Sequence, residues 1–419
     1  MTTRYWAGHA WLPDGCRSGV SFAVDQDRFA EVRTGTEPGP DHRRLPGVVL
    51  PGLANGHSHA FHRALRGRTH DRGGTFWTWR EEMYAVAAQL EPDSYFALAR
   101  QVYAEMIEVG YTCVGEFHYL HHDRDGRAYT DPNAMGAALI AAAAEAGIRL
   151  TLLDTCYLAG GLDDHGHREL NPVQRRYSDD SAERWAERVA LLEPTATARI
   201  GAAVHSVRAV PGAALTSIRT TLGDRPLHVH LSEQPAENAA TLAYYGCTPT
   251  ALLDAHGLLG ERTTAVHATH LSDADVDRLG ASRTAVCACP TTERDLADGI
   301  GPFRRLADAG SPLTIGSDQH AVIDPFEELR GLEMHERLSS GRRGRFTPSE
   351  LITAASVAGY RSLGWESGGE IRDGAPADFV VVGDASSRTR GAAPDQIGYA
   401  ATGADVVSVV VGGKVVKQP

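Results

Sequence analysis

No stretch of this 419-residue chain approaches the ~18 consecutive apolar residues that cross a bilayer, so no membrane association is expected. The longest run of small apolar residues, Met135 to Ala146, is broken by Glu145 and reads as a helix of a globular core. The opening residues, Met1 to Trp6, place no basic segment before an apolar one, so no secretory leader is expected. Positive charge is not in excess either. The net charge is −12, which argues against nucleic acid as a partner, since phosphate binding needs a basic face. Cysteine is sparse and scattered: Cys16, Cys113, Cys156, Cys247, Cys287 and Cys289 form no disulfide framework and read as reduced thiols of a cytoplasmic protein. No G-x-x-x-x-G-K-[ST] phosphate loop occurs.

What is present is an ordinary globular composition, 42% hydrophobic and 22% charged, with ample length for a large core. Both ends read as β structure: short alternating segments over residues 18–34, a β-branched run from Ala377 to Val382, and a hairpin in which Val406 to Val411 turns through Gly412-Gly413 into Lys414. Neither end can bury a core alone, so they are expected to pair into one small β domain, a β-sandwich formed from both termini. Between them, apolar runs alternate with helical segments in the manner of parallel βα units. The expected strands are Val48–Leu53, Cys113–Phe117, Leu150–Asp154, Ile200–Val204, Leu227–Leu231, Thr264–His267, Ala285–Ala288 and Leu313–Ile315. Helices are expected at Pro92–Glu108, Ala134–Ala146 and Ser181–Leu192. Eight units make an α/β chain of the (β/α)₈ TIM-barrel class. The expected organisation is residues 1–47 and 371–419 in the small β domain and 48–370 in the barrel. Residues 160–177, rich in Gly, Asp, His and Arg, are long enough for an active-site lid or a flexible insertion.

The chemistry lies where these strands end, since a barrel assembles its active site from strand C-termini and the loops after them. His57 and His59 follow the first strand, and their i, i+2 spacing on an extended backbone turns both imidazoles to one face. The fifth strand ends His228-Val229-His230-Leu231-Ser232-Glu233, the sixth His267-Ala268-Thr269-His270 and the eighth Gly316-Ser317-Asp318. Imidazole nitrogens with a carboxylate oxygen suit one divalent metal, Zn²⁺ first, with Fe²⁺ or Mn²⁺ also compatible. His57, His59, His230 and Asp318 are therefore the expected ligands. Cys287 and Cys289 lack the paired spacing of structural zinc sites and read as core. His118, His121 and His122 read as a solvated or hydrogen-bonding loop, and Glu116 as a pocket residue without a role.

In this pattern the sequence resembles the amidohydrolase superfamily, including the lead-in Val48-Val49-Leu50-Pro51-Gly52. No fourth-strand lysine of the metal-bridging kind is found, which favours the one-metal branch. His57-Ser58-His59-Ala60-Phe61, Phe76-Trp77-Thr78-Trp79-Arg80, the run from Gly115 to His122, His205-Ser206-Val207-Arg208, His230 to Gln234 and Cys289-Pro290-Thr291-Thr292-Glu293 resemble the N-formimino-L-glutamate deiminase family. The resemblance implies that Arg80, Tyr119, His205 and Arg208 line the pocket and bind a substrate with two carboxylates. His62 stands where that family's pattern has Gln, at a substrate-contacting position. Arginine suits such a ligand, because its planar fork matches a carboxylate bidentately.

The implied reaction is metal-dependent hydrolytic deimination of N-formimino-L-glutamate to N-formyl-L-glutamate and ammonia, a step of histidine degradation. Asp318 would take the proton of the attacking water. Glu233 would carry protons to the imine and the leaving nitrogen, and His267 would steer the nucleophile. A homodimer is implied by the same resemblance. Two alternatives stay open: a deaminase of the superfamily acting on a different amidine or guanidino acid, and a non-catalytic barrel that binds a metabolite.

Overall fold

Eight short strands and the helices between them organise the middle of the chain in the computed structural model, which describes residues 2–69 and 76–418 apart from the side chains of Phe76 and Trp77. In chain order the barrel strands are Leu53–Ser58, Tyr111–His118, Arg149–Cys156, Ala198–Val204, Leu227–Leu231, Thr263–His267, Ala285–Ala288 and Leu313–Ile315. Each pairs in parallel with its successor. Every residue in them except Arg199 is buried, which is why they read as unbroken apolar runs rather than alternating ones. Closure between the eighth and first strands is made just past their ends: Asp318 N donates to His57 O at 3.0 Å, and His59 N donates to Asp318 O at 3.2 Å. The fold is a (β/α)₈ barrel with a separate sheet built from both chain ends.

Helices form where sequence signals start and stop them. Pro92–Glu108 opens on a capping box made by Glu91 and Ser94, and Ala134–Ala146 stops at Gly147, which takes a φ of 83° that a side chain would resist. The expected helix Ser181–Leu192 is shorter, Ala182–Val189; the Ser181 side chain accepts from Arg184 N and caps its start.

One expected strand is placed differently. Val48–Leu53 is divided at Gly52: Arg43–Pro51 pairs with Thr3–Leu12 and Phe379–Val382 in the terminal sheet, and the first barrel strand begins at Leu53. A Cβ at Gly52 would stand 2.7 Å from Thr112 Oγ1 and from Tyr360 Oη, so the chain crosses between the sheets where only glycine fits. Both sheets bury this stretch, and so its sequence shows no boundary.

The terminal sheet runs Lys414–Lys417, Val406–Val411, Phe379–Val382, Arg43–Pro51, Thr3–Leu12, Gly15–Asp25, Arg28–Arg33. It curls so that its last strand meets the segment entering Phe379, with Phe29 N donating to Ala375 O at 2.9 Å. The enclosed core is aromatic: among Tyr5, Phe22, Phe29 and Phe379, neighbouring rings pack with centroids 5.3–6.0 Å apart. A buried ion pair joins sheet to barrel. Arg149, at the start of the third barrel strand, meets Asp378 bidentately at 2.7 and 3.0 Å, and Tyr360 Oη and Gly412 N donate to the same carboxylate at 2.9 and 2.6 Å.

Candidate metal centre and active site

The C-terminal ends of the first, fifth, sixth and eighth strands converge on one point. His57 Nε2 lies 3.1 Å from His230 Nε2, and His59 Nε2 lies 3.3 Å from the same atom. Asp318 Oδ1 is 3.3 Å from His57 Nε2 and 3.4 Å from His59 Nε2. The ring of His59 is set by its other nitrogen, 2.9 Å from the Phe117 carbonyl; with Nδ1 donating there, Nε2 presents a lone pair to the cluster. Burial drives the pKa of His57 and His230 well below the usual imidazole value and that of His59 to about 3, so all three are neutral at physiological pH. Neutral imidazole nitrogens this close, beside a carboxylate and without protons to share, fit a cation between them.

Backbone strain marks the same strand ends. Ser232, His267, Ala268, Asp318 and His320 take φ values of 50, 68, 50, 41 and 60°, a region side chains rarely occupy. Beneath the cluster, Glu116 accepts from Ser58 Oγ at 2.6 Å and from Ala60 N at 2.7 Å, bracketing His59. Ser58 Oγ also contacts His320 Nε2 at 3.1 Å, and Ser317 Oγ contacts His320 Nδ1 at 2.9 Å. Glu116 is thus below the site rather than in the pocket, and burial raises its carboxyl to about 7.

Above the cluster opens a cleft of about 660 Å³ including its mouth. Each residue expected to touch substrate lines it: His62, Arg80, Tyr119, His205 and Arg208, together with His59, His230, Glu233, His267 and Asp318. His62 Nε2 is 2.9 Å from Tyr119 Oη, and burial keeps this imidazole neutral. Glu233 Oε1 and Asp318 Oδ2 each stand 3.8 Å from His267 Nε2, with Glu293 Oε1 3.6 Å from its Nδ1. Burial by itself would lower the His267 pKa, but the charges of Glu233, Glu293 and Asp318 outweigh it and hold the ring protonated; burial raises Glu233. One acid and one base with shifted affinities therefore face the same space.

Sequence reasoning missed two features. Glu237, in the first turn of the helix Pro235–Tyr245 and fully buried, stands 3.3 Å from Arg208 Nε, while Glu233 is 3.6 Å from Arg208 Nη2. Tyr84, Tyr157 and Tyr177 line the cleft wall and had no signal short of the fold. Of the two readings offered for His118, His121 and His122, hydrogen bonding holds for the last two, and all three rings are buried rather than solvated. His121 Nε2 contacts Thr155 O at 2.9 Å and His122 Nε2 contacts Asp179 at 3.1 Å, beside an Arg188 that pairs with Asp154 and Asp179 at 2.8 and 2.9 Å. His118, His121 and Asp154 also converge as donors, but the Arg188 guanidinium already supplies the cation there. Cys287 and Cys289 are core, packed with Val266.

Comparison with known proteins agrees with this architecture. Residues 48–416 match the sequence model of the amidohydrolase family. The chain is 37% identical to the formimidoylglutamate deiminase of Pseudomonas aeruginosa, over 90% of this chain and 85% of that protein. It superposes on the crystal structure of an amidohydrolase from Brucella melitensis with a TM-score of 0.92 and 34% identity, covering 99% of this chain and 95% of that one. A zinc-containing adenosine deaminase from Xanthomonas campestris shares the fold, with a TM-score of 0.83 and 23% identity over 99% of this chain and 93% of that one.

Proposed function

Because the chain belongs to the amidohydrolase family, we propose that it is a metal-dependent hydrolase that deiminates N-formimino-L-glutamate to N-formyl-L-glutamate and ammonia. One cleft holds a metal-type donor cluster at its floor and two arginines, Arg80 and Arg208, in its wall, and that pairing carries the reading. A small amidine bearing two carboxylates needs both. The 37% identity to the Pseudomonas deiminase supports the same choice.

His57, His59, His230 and Asp318 would hold the metal, with Zn²⁺ favoured by a set of imidazoles and one carboxylate. When bound, the metal supplies a Lewis acid that makes a water nucleophilic near neutral pH. Asp318 accepts that water's proton through the oxygen facing His267. His267, held cationic by its carboxylate neighbours, orients the nucleophile and stabilises negative charge as the formimidoyl carbon becomes tetrahedral. Glu233 takes a proton and returns it to the nitrogen that leaves as ammonia; its burial-raised affinity suits that exchange. Arg80, Arg208, Tyr119, His205 and His62 bind the remainder of the substrate. On this reading the protein is a cytoplasmic enzyme of histidine degradation working as a homodimer.

Ammonia release from a panel of N-formimino and guanidino acids tests the reading. N-formimino-L-glutamate should give the highest kcat/KM, chelation should abolish turnover, and added divalent metal should restore it. Full turnover by protein shown by elemental analysis to be metal-free sinks the mechanism. Preference for another amidine retains the chemistry and changes the substrate.

A further inference from the structure

The insertion over residues 160–177 does more than line the cleft with Gly160, Gly161 and Tyr177. It delivers Gln174, a buried amide, behind the tyrosines of the wall. The orientation of that amide is set by a backbone donor: Asn171 N donates to Gln174 Oε1 at 2.9 Å, and Gln174 N donates back to Asn171 Oδ1 at 2.8 Å. Its NH₂ group therefore faces the other way, donating to Tyr84 Oη at 2.9 Å and Tyr157 Oη at 2.8 Å, with a longer contact to Gly160 O at 3.2 Å. A phenol that accepts from Gln174 keeps its own proton to give elsewhere. Among the described residues nothing accepts those two protons, and the buried Tyr177 hydroxyl has no partner at all. All three rings line the cleft with Arg80 and Arg208. The Arg80 guanidinium carbon lies 5.6 Å from the centre of the Tyr84 ring.

We propose that Gln174 is a positioning residue that turns the Tyr84 and Tyr157 hydroxyl protons into the cleft, where with Tyr177 they form a donor collar for the distal carboxylate of an anionic substrate. The collar adds neutral donors to the guanidinium charges and deepens the dicarboxylate reading of the preceding section, on which it rests. It explains why an insertion is needed: without Gln174 the phenol protons have no fixed direction, and the donors are not preorganised.

The test separates this proposal from that reading by measuring binding apart from turnover. Calorimetry on the metal-loaded protein uses glutarate as the dicarboxylate probe and butyrate as its one-carboxylate counterpart. Gln174→Glu keeps the shape and the Asn171 contact but makes residue 174 an acceptor, so the phenol protons turn away from the cleft. Tyr157→Phe removes one donor without changing charge. Wild-type protein should bind glutarate more tightly than butyrate. Each variant should weaken glutarate by at least about tenfold, the size of one hydrogen bond to a charged group, and butyrate far less. On substrate, KM should rise more than kcat falls. Glutarate affinity unchanged in both variants, equal losses for glutarate and butyrate, or no glutarate preference in the wild type each overturn the proposal. Should the glutarate pattern hold while N-formimino-L-glutamate is not turned over, the collar stands and the substrate assignment falls.

Discussion

At the scale of single residues, the site separates charge by environment. His57, His59 and His230 are kept neutral by burial, whereas His267, equally buried, stays cationic because carboxylates stand 3.6 and 3.8 Å away. Glu233 is the residue on which this division converges, with His267 on one side and Arg208 on the other. Glu233→Gln preserves size and removes the titratable oxygen. Its kcat should fall by roughly 10²–10⁴-fold, the usual worth of general acid–base catalysis, with metal content unchanged by elemental analysis. A variant that keeps most of its kcat shows that another group moves the proton. Most of these residues were legible before the fold, because ligand-type side chains sat at the ends of recognisable strands. Glu237 and the tyrosine wall were not, because nothing local distinguishes a buried glutamate or a cleft-facing tyrosine from its neighbours.

At the scale of elements, the loops after the second and third strands are anchored by one buried ionic network. Arg188, on the helix Ala182–Val189, holds Asp154 from the third strand and Asp179 from the link between the insertion and that helix, and Trp185 Nε1 donates to Asp154 at 3.0 Å. Arg188 and its two carboxylate partners are almost wholly inaccessible. Arg188→Met should therefore leave two buried carboxylates without their guanidinium and cost about 3–5 kcal/mol in urea unfolding. Adding Asp154→Asn and Asp179→Asn to that variant should recover part of the loss. A single variant as stable as the wild type removes the network from the account of stability. The helix that carries Arg188 was expected from sequence, but its partners were not, since Asp154 lies on a separate strand and Asp179 is brought back by the turn before the helix.

Across the whole molecule, burial of neutral histidine couples stability to pH. Burial lowers the pKa of His121 and of His228 to about 4, and that of His118 further below the usual value. An unfolded histidine titrates near ~6.5. Between that value and about 4 the unfolded chain binds more protons, so stability rises with pH across the window and is lost as pH falls through it. Each such histidine adds up to about 1.4 kcal/mol per pH unit there, and metal ligands, which must be unprotonated, pull the same way. Buried histidines outnumber the buried carboxyls whose raised affinities pull the other way, Glu116 and Glu233 among them, so urea midpoints should fall from pH 6.5 to 5; a level line down to pH 5 contradicts the coupling. The eight-strand barrel, the pairing of the two termini and the metal-type cluster all follow from the sequence alone, because hydrophobic period and strand-end chemistry are local properties. Where the first barrel strand begins, which carboxylate faces which arginine and how Gln174 turns the tyrosines were decided by tertiary structure. Those outcomes depend on groups distant in sequence competing for the same space and the same protons, and only the closed barrel brings them within reach of one another.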